Sequence, residues 1–90
     1  MKADRAQVER LLKTARGQLD GILKMVEEDR YCVDISNQLL ATQAVLRRAN
    51  REVLRAHMKG CVQSAVEQGN PQEAEAKIDE LCQLLDKLVQ

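Results

Sequence analysis

Three side chains in this 90-residue chain could hold a metal ion: Cys32, His57 and Cys61. Two thiols and one imidazole are soft or borderline donors. His57 and Cys61 stand four residues apart, so one helix presents both on the same face. Cys32 lies 25 residues before His57. On a continuous helix that is roughly 37 Å, too far for a single ion to bridge. Yet the interval is close to seven turns at ~3.6 residues each, so Cys32 leaves from nearly the same face. Two copies of the helix packed antiparallel resolve the distance. Cys32 of one copy then meets His57 and Cys61 of the other. The spacing predicts a metal site and an oligomer together.

Three such donors suit Cu(I), whereas structural Zn(II) usually takes four. No fourth ligand is evident. Residues 1–10 offer neither His nor Cys, only Asp4, Glu9 and the terminal amine. That disfavours a square-planar or octahedral Ni(II) or Co(II) site built with an N-terminal arm. Taken singly, Cys32 also fits a small residue on a packed seam, and His57 a satisfied core histidine. Jointly that reading weakens, because His57 is the one histidine and shares its face with two of the three cysteines. Cys82, among Leu81, Leu84 and Leu85, reads as core. A Cys–His pair could also act as nucleophile and base. No third polar group is placed to orient His57, and no cleft-forming fold surrounds it, so no enzymatic activity is expected.

The elements that must position these residues are helices. In the first, from about Asp4 to Glu28, Val8, Leu11, Leu12, Ala15, Leu19, Ile22, Leu23 and Val26 form one apolar stripe. Asp4 is its expected N-cap. Glu27-Glu28-Asp29-Arg30 is the expected turn, since acidic residues oppose the dipole at a helix C-terminus. The second helix is expected from Cys32 to Glu67. Ile35, Leu39, Thr42, Leu46, Ala49 and Val53 repeat at alternating 4 and 3 spacing, a coiled-coil-like seam. Cys32 extends the seam at its start, and His57 and Cys61 at its end. So long a helix needs a partner over most of its length. Gly60 inside it either costs stability or permits close approach of another backbone. Gln68-Gly69-Asn70-Pro71 is a break, with Gly69 suited to the C′ position. A third helix is expected from about Gln72 to Leu88, with Ala74, Ile78, Leu81, Cys82, Leu85 and Leu88 apolar. No strand signal, internal repeat or Gly-rich phosphate loop interrupts this all-α pattern.

Ninety residues make one small domain, 1–90, and oligomerisation is a common remedy for so modest a core. No apolar run approaches membrane-spanning length, and MKADRAQVER lacks the apolar stretch of a signal peptide. A cytoplasmic location is expected, where three cysteines point to metal or redox chemistry rather than structural disulfides. The net charge of zero hides an asymmetry. Residues 1–60 carry 12 Lys and Arg against 8 Asp and Glu, a net of +4; residues 61–90 carry 2 against 6, a net of −4. The first two thirds could contact an anion such as nucleic acid, although both halves also fit ordinary solvated helix faces.

The stretches GQLDGILKMVEEDRYCVDISNQLLA and LRAHMKGCV resemble the copper-sensitive operon repressor (CsoR) family of bacterial metal-responsive repressors. The resemblance covers roughly residues 8–69. Cys32, His57 and Cys61 match the family's copper ligands in type, order and spacing. The resemblance implies a three-helix subunit, an antiparallel four-helix-bundle dimer and a flat dimer-of-dimers tetramer. It implies one Cu(I) per subunit and operator DNA as partner, with no membrane and no small organic substrate. Metal-free protein would bind the operator, and Cu(I) would release it and derepress copper-resistance genes. Tyr31 matches a tyrosine beside the first cysteine that the family uses to orient the site. A glutamate of the last helix plays a related part. Glu80 matches it if about three extra residues fall around Asn70–Ala76; an ungapped comparison puts Lys77 there.

The resemblance also implies DNA contacts by Lys13, Arg16, Gln18 and Arg47, mainly to phosphates and groove edges. Arg48, Arg51 and Arg55 extend a basic stretch from Arg47. The chain departs from the family at Thr14, where an arginine is usual, and Arg16 restores the charge two positions on. Rival readings remain within the same family. A nickel sensor of this kind can keep Cys-His-Cys. A persulfide sensor keeps both cysteines but generally loses the histidine. A formaldehyde sensor needs proline where Lys2 stands. A helical interaction protein that binds no DNA is the reading from outside the family.

Overall fold

The computed structural model describes the backbone of residues 1–89 and the side chains of residues 1–87. Three helices account for most of it: α1 (Arg5–Glu27), α2 (Cys32–Glu67) and α3 (Pro71–Val89). The described residues contain no strand. The chain divides into two compact units, residues 5–50 and residues 1–4 with 51–90. α2 is continuous across the division, contributing its N-terminal half to the first and its C-terminal half to the second.

In the first unit α1 and the start of α2 form a helical hairpin. Val8, Leu11, Ala15 and Ile22 are buried on α1, and Thr42 and Ala49 on α2. These positions repeat with helical spacing, so one face of each helix is covered. The broad α1 stripe expected from sequence is divided: Leu12, Leu19, Leu23 and Val26 stay exposed. At about 100° per residue Leu12, Leu19 and Leu23 fall beside the covered face, while Val26 points with Val8 but stands one residue from the end of α1. The α2 seam behaves likewise. Its small residues are buried, whereas Leu39 and Leu46 are 42% and 44% exposed.

The α1–α2 turn is set by backbone hydrogen bonds. Arg30 N donates to the Met25 carbonyl and Asp29 N to that of Val26, while Asp29 adopts φ 54°. This is a Schellman ending with an aspartate in the left-handed position usually given to glycine. The α2–α3 turn repeats the motif with glycine in place. Asn70 N donates to the Ala65 carbonyl, Gly69 N to Val66, and Gly69 has φ 69°.

The start of α3 corrects the expected boundary. Pro71 is its first residue, not part of the break. Proline at the first helical position loses no hydrogen bond and arrives with a suitable φ. Asn70 caps the helix, its Oδ1 accepting from Glu73 N at 3.2 Å. The second unit buries Met58 and Ala65. Cys82 is exposed, not core. Leu81 beside it is half-buried, so the helix turns Cys82 away from the packed side. The side chain of Leu88 lies outside the described residues.

Candidate metal centre

His57 and Cys61 project from adjacent turns of α2, both half-buried. Cys61 Sγ lies 3.6 Å from His57 Nε2 and 3.8 Å from Nδ1. A borderline ion held at about 2.0 Å by nitrogen and about 2.3 Å by sulfur, with donors roughly 110–120° apart, needs about that separation. The pair therefore fits two ligands of one ion without moving the backbone. Among the described residues no three His, Cys, Asp or Glu gather closely enough within one chain to hold a metal.

α3 brings Glu80 to the same place. Its Oε1 lies 3.6 Å from His57 Nε2, and its Oε2 lies 3.8 Å from Lys77 Nζ. Both residues weighed for this position from sequence are present, in different roles. Glu80 faces the histidine, and Lys77 holds the other carboxylate oxygen. The side chains of His57 and Glu80 are 44% and 45% exposed, so this contact is solvent-screened.

Gly60, next to Cys61, is where the N-terminal arm approaches. A Cβ built there would stand 2.6 Å from Lys2 Cδ. The close approach at Gly60 is thus made by a lysine side chain rather than by another backbone.

Cys32 opens α2 in the other unit and is exposed. Tyr31 beside it is 68% exposed, and its carbonyl accepts from Asp34 N and Ile35 N in the first turn of α2.

The four candidate DNA residues all lie in the first unit. Lys13 and Arg16 are exposed and line a shallow surface with Glu9 and Leu12. Arg47 is exposed. A separate concavity is lined by Arg10, Leu11, Thr14, Ala44, Val45 and Arg48. Thr14 Oγ1 is turned onto its own helix, donating to the Arg10 carbonyl at 3.0 Å. Two arginines thus flank Thr14. In the sequence Arg10 is one of several basic residues off the apolar stripe, and Arg48 an extension of Arg47. The signal was the spacing of Arg10, four residues before Thr14. Gln18 is half-buried and engaged with α2 through Thr42.

A model of the metal-sensitive transcriptional repressor family matches residues 4–87. The chain belongs to this family. It is one of transcriptional repressors, not of enzymes. The chain is 54% identical over 70 residues to the copper-sensing transcriptional repressor CsoR of Mycobacterium ulcerans, covering 78% of this chain and 57% of that protein. It is 38% identical over 84 residues to CsoR of Bacillus subtilis, covering 93% and 80%. The chain spans just over half the length of the mycobacterial CsoR proteins it matches. Among solved structures, the nickel-responsive regulator InrS superposes with a TM-score of 0.80 at 28% identity, covering 98% of this chain and 96% of that one. The copper-sensing repressor CsoR with Cu(I) from Geobacillus thermodenitrificans superposes with 0.77 at 32% identity, covering 100% and 94%. No described helix is long and apolar enough to cross a membrane.

Proposed function

We propose that this chain is a Cu(I)-sensing transcriptional repressor that binds operator DNA when metal-free and releases it on binding copper. The observation that carries the reading is the pairing of His57 and Cys61 at single-ion distance, in a member of a repressor family. The third ligand is Cys32 of the neighbouring protomer, one site per subunit. Cu(I) supplies a soft cation whose affinity for thiolates makes the site selective. His57 presents one imidazole nitrogen to the site, and Glu80 orients the ring from α3. Tyr31 sits one residue from Cys32 and steadies that end of the site. Because Glu80 belongs to α3, a turn of the His57 ring is felt by that helix as well as by α2.

Exposed apolar surface supports the proposed assembly. Leu39 and Leu46 on α2 and Leu12, Leu19, Leu23 and Val26 on α1 need cover. An antiparallel dimer covers them and brings Cys32 to His57 and Cys61; two dimers form the tetramer. Lys13, Arg16, Gln18 and Arg47, with Arg10 and Arg48, form the DNA surface. The 90 residues act as one sensing and DNA-binding domain in the cytoplasm.

Anisotropy titration of reduced, metal-free protein against the promoter of its own gene tests the reading. Tight, strongly salt-dependent binding is expected, with release at one Cu(I) per subunit. No binding would leave a helical interaction protein in front. Release by Ni(II) but not Cu(I) would move the reading to the nickel sensors, which the InrS likeness keeps in play. Release by a persulfide alone would make the two cysteines a sulfur sensor. X-ray absorption on the Cu(I) form should show three ligands, two of them sulfur.

A further inference from the structure

Thr42 is a polar residue in an apolar layer. It is 3% exposed, in the unit where Ala15, Ile22 and Ala49 are also buried. Its hydroxyl donates to Gln18 Oε1 at 2.8 Å, with the Gln38 carbonyl a longer acceptor at 3.2 Å. A buried hydroxyl without a partner is destabilising, so this one needs an acceptor. Gln18 stands three residues after Ala15 and four before Ile22, at the edge of the buried face of α1.

The hydrogen bond has a consequence for the far end of the Gln18 amide. A carboxamide has one accepting end and one donating end. Thr42 takes the accepting end. Among the described residues no buried side-chain nitrogen or oxygen lacks a partner. With Oε1 held by Thr42, the half-buried Gln18 has its two N–H groups left to give. Arg10, Thr14 and Gln18 follow at four-residue intervals and share one edge of α1. The Thr14 hydroxyl is spent on the Arg10 carbonyl. Arg10 and Thr14 line the concavity with Arg48 across from them, and Gln18 continues the same edge of α1 one turn on.

We propose that Thr42 is a positioning residue for DNA binding. By holding Gln18 Oε1 in the α1–α2 layer, it sets the amide NH2 of Gln18 as the end that meets phosphate oxygens or acceptor atoms on base edges. The inference rests on the repressor reading and assigns a role to a buried residue that touches no DNA.

The test is a double-mutant cycle on reduced, metal-free protein. Binding to the promoter duplex is read by anisotropy for wild type, Thr42→Val, Thr42→Ser, Gln18→Ala and the Thr42→Val/Gln18→Ala pair. Circular dichroism and Cu(I) stoichiometry check each fold. Thr42→Val keeps the shape and removes the hydroxyl; it should weaken DNA binding roughly three- to tenfold. Thr42→Ser should restore it. The pair should lose no more than Gln18→Ala alone, because without Gln18 there is nothing to aim. Folded Thr42→Val that binds like wild type would overturn the proposal and leave the repressor reading intact. Losses that multiply in the pair would also overturn it, assigning Thr42 a purely structural part. Wild type that fails to bind the duplex would overturn both.

Discussion

Glu80 Oε1 on α3 lies 3.6 Å from His57 Nε2 on α2, while its other oxygen lies 3.8 Å from Lys77 Nζ. One carboxylate is thus shared between the proposed copper ligand and a lysine of its own helix. A connection of this kind costs little to keep, since exposed pairs contribute little to stability. Its value lies in what it transmits.

Glu80→Gln keeps the shape and removes the charge. Copper binding should persist, because the ligands are untouched. The ratio of metal-free to Cu(I)-loaded DNA affinity should fall by roughly tenfold, a large share of a typical coupling of about 1–3 kcal/mol. Anisotropy with and without Cu(I) measures it. An unchanged ratio would remove Glu80 from the path between metal and DNA.

Asp29 occupies a left-handed backbone position, φ 54°, that Gly69 fills at the other turn. Its carboxylate also sits at the negative end of α1. Asp29→Gly should raise stability by about 0.5–1 kcal/mol, read as a higher urea midpoint at unchanged slope. A lower midpoint would mean that the aspartate side chain holds the turn by more than its strain costs.

Gly60 makes the opposite case, a glycine inside a helix. A Cβ there would meet the far end of Lys2, a side chain with room to turn. Gly60→Ala should therefore stabilise α2 by up to about 1 kcal/mol. Thermal unfolding of Gly60→Ala and of Gly60→Ala with Lys2→Ala should give the same gain. A gain that appears only with Lys2 removed would show that the arm is held firmly against α2.

The helices were legible because periodicity and punctuation agree. α2 runs from Cys32 to Glu67, the bounds expected from its seam and the Gly69 stop. α3 starts one residue before the sequence expectation, because proline ends a preceding helix but at a first position starts the next. Cys82 is exposed although its periodicity reads as core, because periodicity marks apolar positions without saying how wide a face the neighbour covers. The same limit hid the split of the α1 stripe. His57 and Cys61 could be paired from sequence because four residues on a helix define a contact. Arg10 and Arg48 could not, because their meeting depends on the register of α1 against α2.

Leu46 is 44% exposed in the middle of the α2 seam. If a second chain covers it, Leu46→Glu places a charge in that interface. The mutant should sediment as a smaller species than wild type and lose Cu(I) affinity with it. A change of mass without loss of copper would separate assembly from the metal site.

A shared site makes one demand that a site within a chain does not. In an antiparallel dimer each site takes Cys32 from one protomer and His57 with Cys61 from the other. Cys32→Ser alone and Cys61→Ser alone should each abolish tight Cu(I) binding in homodimers. In a mixed dimer of the two variants, one site loses both cysteines and the other keeps all three ligands. Mixed dimers isolated through two different affinity tags should recover one tight Cu(I) per dimer, half the wild-type content. Competition against a Cu(I) chelator reads the result. If the mixed dimer binds no better than either parent, Cys32 does not complete the neighbour's site, and the antiparallel arrangement built on its 25-residue separation from His57 fails.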